Sequence, residues 1–295
     1  MRKEKLKQLL PRFRKYIGFF VIAVTTAAFF WYIENNPGAL TPLKSLSFQL
    51  LPLLLLLYGL FLLTNFLITA ITITISKKEY PLKDSFQLTI YSTLVNFFGP
   101  LQSGPGFRAV YLKKKIGLSI KNYTLATGLY YVAFLVISLL MLLGPTYPLQ
   151  SLVTLLIAMV FGWFFIKNKI NLAKLIKYSL IISLITFVQL LVIALIYYIE
   201  LRATGYSASL ISALAYAGSA NLALFVAFTP GAVGIRESFI YFSQSIHNIP
   251  TDHILSASLL DRALYVVFLG LLFLLSSSLH IKAKMKATVE PQKEA

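Results

Sequence analysis

An all-α polytopic membrane protein is the fold class this sequence predicts. Six transmembrane spans are expected, plus two opposed re-entrant helical hairpins in an inverted-topology repeat. Three observations carry that reading. The 295 residues are 58% hydrophobic and only 13% charged, with a mean hydropathy of +0.76, whereas soluble domains lie nearer half apolar and a quarter charged. The apolar residues form continuous runs, not the alternating ten-residue segments of a membrane β-barrel. Two of the runs break at Pro and Gly, and each break carries an arginine, Arg108 or Arg236.

Taken in order, residues 1–16 are strongly basic and precede an apolar run at 17–33. The run ends in Phe-Phe-Trp-Tyr-Ile, without a small-x-small cleavage signal, so it is expected to be an uncleaved first span entered from the cytoplasm. The second span lies within 48–75, where Pro52 and Gly59 permit a bend. After Lys77, Lys78 and Lys83 comes an apolar segment, 86–99, that rises only about 21 Å as a helix, short of the roughly 30 Å hydrocarbon core. Pro100, Gly104, Pro105, Gly106 and Arg108 follow, then the cluster Lys113, Lys114 and Lys115. A segment that enters, breaks and returns to a basic flank reads as a re-entrant hairpin, which membranes tolerate only where protein or a cavity surrounds it.

The third span is expected at 123–143 and the fourth within 149–166, before a loop holding Lys167, Lys169, Lys174 and Lys177. The fifth, 178–199, ends at Glu200 and Arg202. An apolar run at 209–229 leads into Thr-Pro-Gly-Ala-Val-Gly-Ile-Arg-Glu (229–237) and a short segment at 238–246, the second hairpin. The last span covers 254–279, and a polar tail, 281–295, closes the chain.

The net charge of +17 does not imply a nucleic-acid partner, because Lys and Arg cluster between the spans. With both termini in the cytoplasm, 22 of the 27 Lys and Arg face the cytoplasm and Lys44 and Arg202 alone face outside. That asymmetry sets the orientation in a cytoplasmic membrane. The chain then reads as a single transmembrane domain of two halves, about 17–145 and 146–280. An odd number of spans separates the hairpins, so they enter from opposite sides and meet at a midplane interface. Gly106-Phe-Arg108 in the first half matches Gly234-Ile-Arg236 in the second. The absence of cysteine excludes disulfides and thiolate metal sites. His247, His253 and His280 lack metal-ligand spacing and are expected to be solvated, and no metal or cofactor is expected.

Five ionisable residues fall inside the membrane zone: Arg108, Arg236, Glu237, Asp261 and Arg262. Each costs about 2.5–3.5 kcal/mol or more if left unpaired at the bilayer centre, which makes them functional candidates. Pro230 and Gly231 are expected to leave free backbone N–H groups at the start of the outgoing half-helix, near Gly234. A helix N-terminus and an arginine fork together suit phosphate oxygens. Gly104 and Gly106 play the matching part in the first hairpin. Glu237 and Asp261 read first as partners of the buried arginines. A second reading leaves Asp261 and Arg262 solvated among the outer headgroups. Asn65, Asn96 and Asn221 are open to either cross-helix bonding or a place on a cavity wall.

Pro230-Gly231-x-x-Gly234-x-Arg236-Glu237 resembles the PGGxGxRE signature of the lysylphosphatidylglycerol synthase transmembrane-region family, also called flippase-like membrane proteins. Pro100-x-x-x-Gly104-x-x-x-Arg108 resembles that family's first-half motif, P-x-x-x-G-E-x-x-R, and the resemblance covers nearly the whole chain. Ala232 stands where the family's second glycine usually is, Pro105 replaces the glutamate, and Tyr130 and Tyr131 occupy the region of a frequent Glu-Arg pair. Asp261-Arg262 is kept. The chain is expected to lack the soluble transferase domain that makes some relatives lipid-modifying synthases. The resemblance implies a lipid translocase whose partner is a membrane lipid with an anionic headgroup, a phospholipid or phospho-glycolipid. The alternative is a non-transporting subunit that binds lipid for a separate envelope-biosynthesis enzyme, and a homo-oligomer is left open. An enzyme ranks last, because the sequence shows no catalytic constellation or nucleotide-binding loop.

Overall fold

Eleven helical segments follow one another without a strand among the described residues of the computed structural model. Those residues are 27, 31, 34–35, 49–76, 78–99, 102–166, 172–227, 229–232 and 234–289. The first span expected at 17–33 lies almost wholly outside them, as do the basic tail, Lys44, Pro100 and the last residues of the chain.

Helix α1, Leu50–Ile75, is largely apolar, and its threonines and Asn65 are bonded to carbonyls within it. Thr69 and Thr72 donate to carbonyls one turn back, at 2.8 and 2.7 Å, so no polar group is stranded in an apolar medium. Pro81 stands before α2, Leu82–Phe98, and Asp84 in its first turn suits the positive helix end. Helix α3, Gly104–Ile116, has Pro105 in its first turn, where its missing N–H costs nothing. It ends at Gly117, left-handed at φ 62°, whose N–H caps Lys113 O, while Lys113, Lys114 and Lys115 complement the negative end. Then come α4, Ile120–Leu143; α5, Pro148–Ile166; and α6, Leu172–Ala203. Ser209 caps α7, Leu210–Ala223, by accepting from Ser212 N at 3.0 Å. A 3-10 turn at Pro230–Ala232, α8 (Ile235–Phe242) and α9 (Gln244–His247) precede α10, Thr251–Val289.

Helix ends differ from the sequence reading in ways that matter for the site. Within the apolar run at 209–229 the helix ends at Ala223. Residues 224–226 close tight turns onto Asn221, Leu222 and Ala223, and Leu224 O accepts a bond from the Gln102 side chain. The segment expected at 238–246 is two short helices that begin at Ile235. Helix α6 runs past 199, so Glu200 is a helix-interior residue and not a terminal one.

Among the described residues, four helices are long and apolar enough to cross a membrane: Leu50–Ile75, Ile120–Leu143, Ile176–Ala203 and Thr251–Ser278. Helices α1 and α6 pack against each other. Around them α4 packs on α1, α6 and α7, and α10 packs on α6, α1 and α2. Each broken element folds back on itself, α2 on α3 and α7 on α8. Close approach is enabled at two glycines. A Cβ on Gly218 would lie 2.6 Å from Ser138 O and Leu142 N of α4, and one on Gly104 would lie 2.6 Å from Ser92 O of α2. Leu56, Leu180, Leu184, Phe273 and Leu274 point outward and are exposed, as suits faces turned to lipid.

Candidate functional site

Helical spacing places one polar stripe on each of three helices that meet inside the bundle. On α10 it is Ser258, Asp261, Arg262 and Tyr265; on α6, Tyr197 and Glu200; on α1, Tyr58, Asn65 and Thr69, with Phe61 on the same face. These positions recur three or four residues apart and so share a face. Helix α8 brings Arg236 and Glu237 in its first turn.

The result is a balanced cluster of charges. Arg236 Nη1 donates to Asp261 Oδ2 at 2.5 Å and to Tyr197 Oη at 3.3 Å, and its Nη2 donates to Ser258 Oγ at 3.2 Å. Arg262 donates to Glu237 Oε1 through Nη2 at 2.7 Å and Nε at 3.2 Å, and through Nη1 to Gly231 O at 2.9 Å. Ser258 Oγ also donates to Glu237 Oε1, at 2.5 Å. Two guanidinium groups thus face two carboxylates, the arrangement that makes buried charge tolerable. Asp261 and Arg262 are 7% and 8% exposed. The reading that left them solvated among headgroups is overturned, because Asp261 lies well inside α10.

The free backbone donors expected at the Pro230–Gly231 break are also corrected. Gly231, left-handed at φ 59°, presents its carbonyl to Arg262, and the Gly234 N–H is taken by Glu237 Oε2 at 2.8 Å. Glu237 therefore takes one of the donors at the helix N-terminus where an anion was expected. Ala232, at φ 56° and 3% exposed, also holds the left-handed conformation, which costs a non-glycine residue about 1–2 kcal/mol. That accounts physically for a glycine at this place in the resembled signature.

Arg108 is different. It donates to Thr69 Oγ1, its Nε has no partner, and no carboxylate stands within ion-pair distance among the described residues. It lines a cavity of about 470 Å³ with Asn65, Thr89, Thr93, Tyr130 and Tyr131. Gly104 lies beside it, its N–H donating to Asn96 Oδ1 at 3.2 Å. Gly106 is exposed on α3, with open space where a Cβ would stand. The Arg236 cluster borders a second cavity, of about 170 Å³, lined also by Tyr58, Asn96, Asn221 and Gly231. Gln102, Leu224, Asn96, Phe61 and Tyr265 line both, and the Gln102–Leu224 bond stands between the two broken loops. Along α1, Tyr58 at one site and Thr69 at the other are separated by about 16 Å of helix rise.

Three residues of this interior escaped the sequence reading. Glu200 is fully buried and Tyr58 bridges it to Asp261. Glu200 stood next to Arg202 at the expected span end, and Tyr58 lay unmarked in an apolar run. The only signal was spacing, Tyr197 and Glu200 falling one turn apart. His247, expected to be solvated, is 1% exposed. It bonds Ile240 O at 2.9 Å and accepts from Ile249 N at 3.1 Å, tying α9 to α8 and to the loop that leads into α10. His253, half-buried, bonds Thr204 at 3.0 Å. The side chain of His280 lies outside the described residues. Of the undecided asparagines, Asn65 and Asn96 line the larger cavity, and Asn221 lines the smaller with its Nδ2 unpartnered.

The family described as lysylphosphatidylglycerol synthase TM region matches residues 16–272. No curated protein matches the chain.

Proposed function

Because the chain belongs to the lysylphosphatidylglycerol synthase TM-region family, we propose that this multi-pass membrane protein moves an anionic lipid headgroup across the cytoplasmic membrane, with Arg108 as its standing cation. The observation that carries the reading is the unequal state of the two break arginines. Arg236 is neutralised by Asp261, whereas Arg108 faces a cavity of about 470 Å³ with no carboxylate partner among the described residues. A guanidinium offers five N–H donors in a fork suited to phosphate, and a cavity of this size holds a headgroup-sized ligand. Unpaired charge at membrane depth favours an anion or water beside it.

The packing supports an inverted repeat in this reading. Exchanging α1 with α6, α4 with α10, α2 with α7 and α3 with α8 turns each pairing among these eight helices into another that is present: α4 on α7 becomes α10 on α2, and α3 on α4 becomes α8 on α10. The helices α2, α3, α7 and α8 rise about 26, 20, 21 and 12 Å, each short of a full crossing, as re-entrant arms would be. With both termini cytoplasmic, Arg108 lies in the inner half and the Arg236 cluster in the outer half. The Gln102–Leu224 bond lies between them. The chain acts in this reading as a translocase and not as an enzyme.

Purified full chain in liposomes, presented with labelled anionic and zwitterionic lipids, tests this. Movement of the anionic lipid well above protein-free vesicles, with little movement of the zwitterionic one, is expected. Binding of the anionic lipid without movement replaces the translocase by the subunit that hands lipid to an envelope enzyme. For orientation, a cysteine at the exposed Ser245 is expected to label from outside; labelling only from the cytoplasm sinks the inverted repeat.

A further inference from the structure

Two carboxyl groups in the outer cluster share one phenol. Tyr58 Oη lies 3.1 Å from Glu200 Oε1 and 2.8 Å from Asp261 Oδ1. The same hydroxyl also lies 3.3 Å from Asp261 O; a phenol has one proton to donate and a carboxylate has none, so two full hydrogen bonds to the two carboxyl groups need one of them to be an acid. Asp261 receives Arg236 Nη1 on its other oxygen at 2.5 Å, which holds it as the anion. Glu200 is fully buried, no cation stands within ion-pair distance of it among the described residues, and its Oε2 has no partner. An unpaired carboxylate in such a place is far costlier than the neutral acid. The extra proton therefore sits on Glu200: Glu200 donates to Tyr58, and Tyr58 donates to Asp261.

We propose that Glu200, Tyr58 and Asp261 form a proton-binding relay that couples passage of the anion to proton uptake. A proton enters at the unpartnered Glu200 Oε2 and forms an O–H bond there. The Oε1 proton passes to Tyr58 Oη, and the phenol's own proton passes to Asp261 Oδ1. One proton is taken up, Glu200 and Tyr58 end neutral as they began, and Asp261 becomes an acid. Arg236 then has no carboxylate of its own and is left to an anion in the smaller cavity, where Asn221 Nδ2 is a second unpartnered donor. When the anion departs, Arg236 recaptures Asp261 and that proton is released. Arg108 is thus a standing cation, and Arg236 is a cation only in the protonated state.

The ionisable groups around Glu200 fit this relay. Tyr58 faces it from α1, Tyr197 from its own helix, Tyr216 from α7 and Asp261 from α10, with Arg236 on α8 the nearby cation. The coupling rests on the translocase reading, whereas the proton on Glu200 rests on its hydrogen-bond geometry and its burial without a cation.

Two measurements on the full chain separate the claims. Infrared spectroscopy in lipid nanodiscs is expected to show a protonated carboxylic C=O band at neutral pH that Glu200→Gln removes. A wild-type spectrum without that band overturns the proton assignment. In vesicles, an imposed pH gradient is expected to speed anionic-lipid movement several-fold in the wild type. Glu200→Gln and Tyr58→Phe, each neutral and nearly isosteric, are expected to abolish that acceleration. A gradient response kept by both variants overturns the relay. A wild type that moves no lipid under any gradient sinks the translocase reading, and the infrared band still decides the state of Glu200.

Discussion

Asp261→Asn removes one negative charge from the outer cluster while keeping its shape. In the native chain the Arg236 and Asp261 side chains are 12% and 10% exposed and 2.5 Å apart. After the substitution Arg236 keeps the hydroxyls of Tyr197 and Ser258, at 3.3 and 3.2 Å. Its one remaining carboxylate, Glu237, lies 3.7 Å away and is already bound by Arg262. Stripping one partner from a buried pair costs about 3–5 kcal/mol, because the surviving charge keeps its desolvation penalty. The double variant Arg236→Gln with Asp261→Asn removes both charges and is expected to recover much of that loss, with a coupling energy of about 2–3 kcal/mol. Equilibrium unfolding of the purified chain in neutral-lipid micelles, followed by far-ultraviolet circular dichroism, measures all four corners of the cycle. A loss under about 1 kcal/mol for Asp261→Asn, or strictly additive single effects, would refute the claim that Asp261 neutralises Arg236.

Gly218→Ala drives a methyl group to 2.6 Å from backbone atoms of α4 and is expected to cost about 1–3 kcal/mol in thermal unfolding. Gly106→Ala meets nothing within 4 Å and is expected to be neutral or to gain up to about 1 kcal/mol from helix propensity. His247→Ala strips bonds to Ile240 O and Ile249 N; a loss of about 2–3 kcal/mol and faster hydrogen exchange at Ile249 are expected. Gln102→Ala removes the bridge to Leu224 O between the two cavities. It is expected to quicken headgroup movement in vesicles while changing stability by no more than about 1 kcal/mol.

Much of the helical plan was legible because hydropathy and Pro/Gly breaks act locally. The runs that became α1, α4, α6 and α10 had no other way to satisfy their backbone in lipid, and the breaks before Arg108 and Arg236 fell where Pro and Gly stood. The end of α7 was not legible. Nothing in residues 224–229 forbids a helix, and the side chain that meets Leu224 O just past its end, Gln102, is distant in sequence. The same distance hid the charge pairing. The sequence marks Arg108 and Arg236 as equivalents, yet Asp261 neutralises one and no described carboxylate reaches the other. Glu200 was hidden by its neighbour Arg202, which suggested an aqueous border, although α6 carries Glu200 into the interior.

The central claim is that Arg108 holds the anion, and the initial rate of anionic-lipid movement by Arg108→Gln in liposomes tests it most directly. A charge-assisted hydrogen bond contributes about 1.5–3 kcal/mol, which corresponds to a loss of roughly 10- to 100-fold in rate. The unfolding midpoint is expected to stay put, since no described carboxylate depends on Arg108. Arg108→Lys is expected to fall between, keeping the charge and losing the fork. A folded Arg108→Gln variant that moves anionic lipid at the wild-type rate would contradict the account.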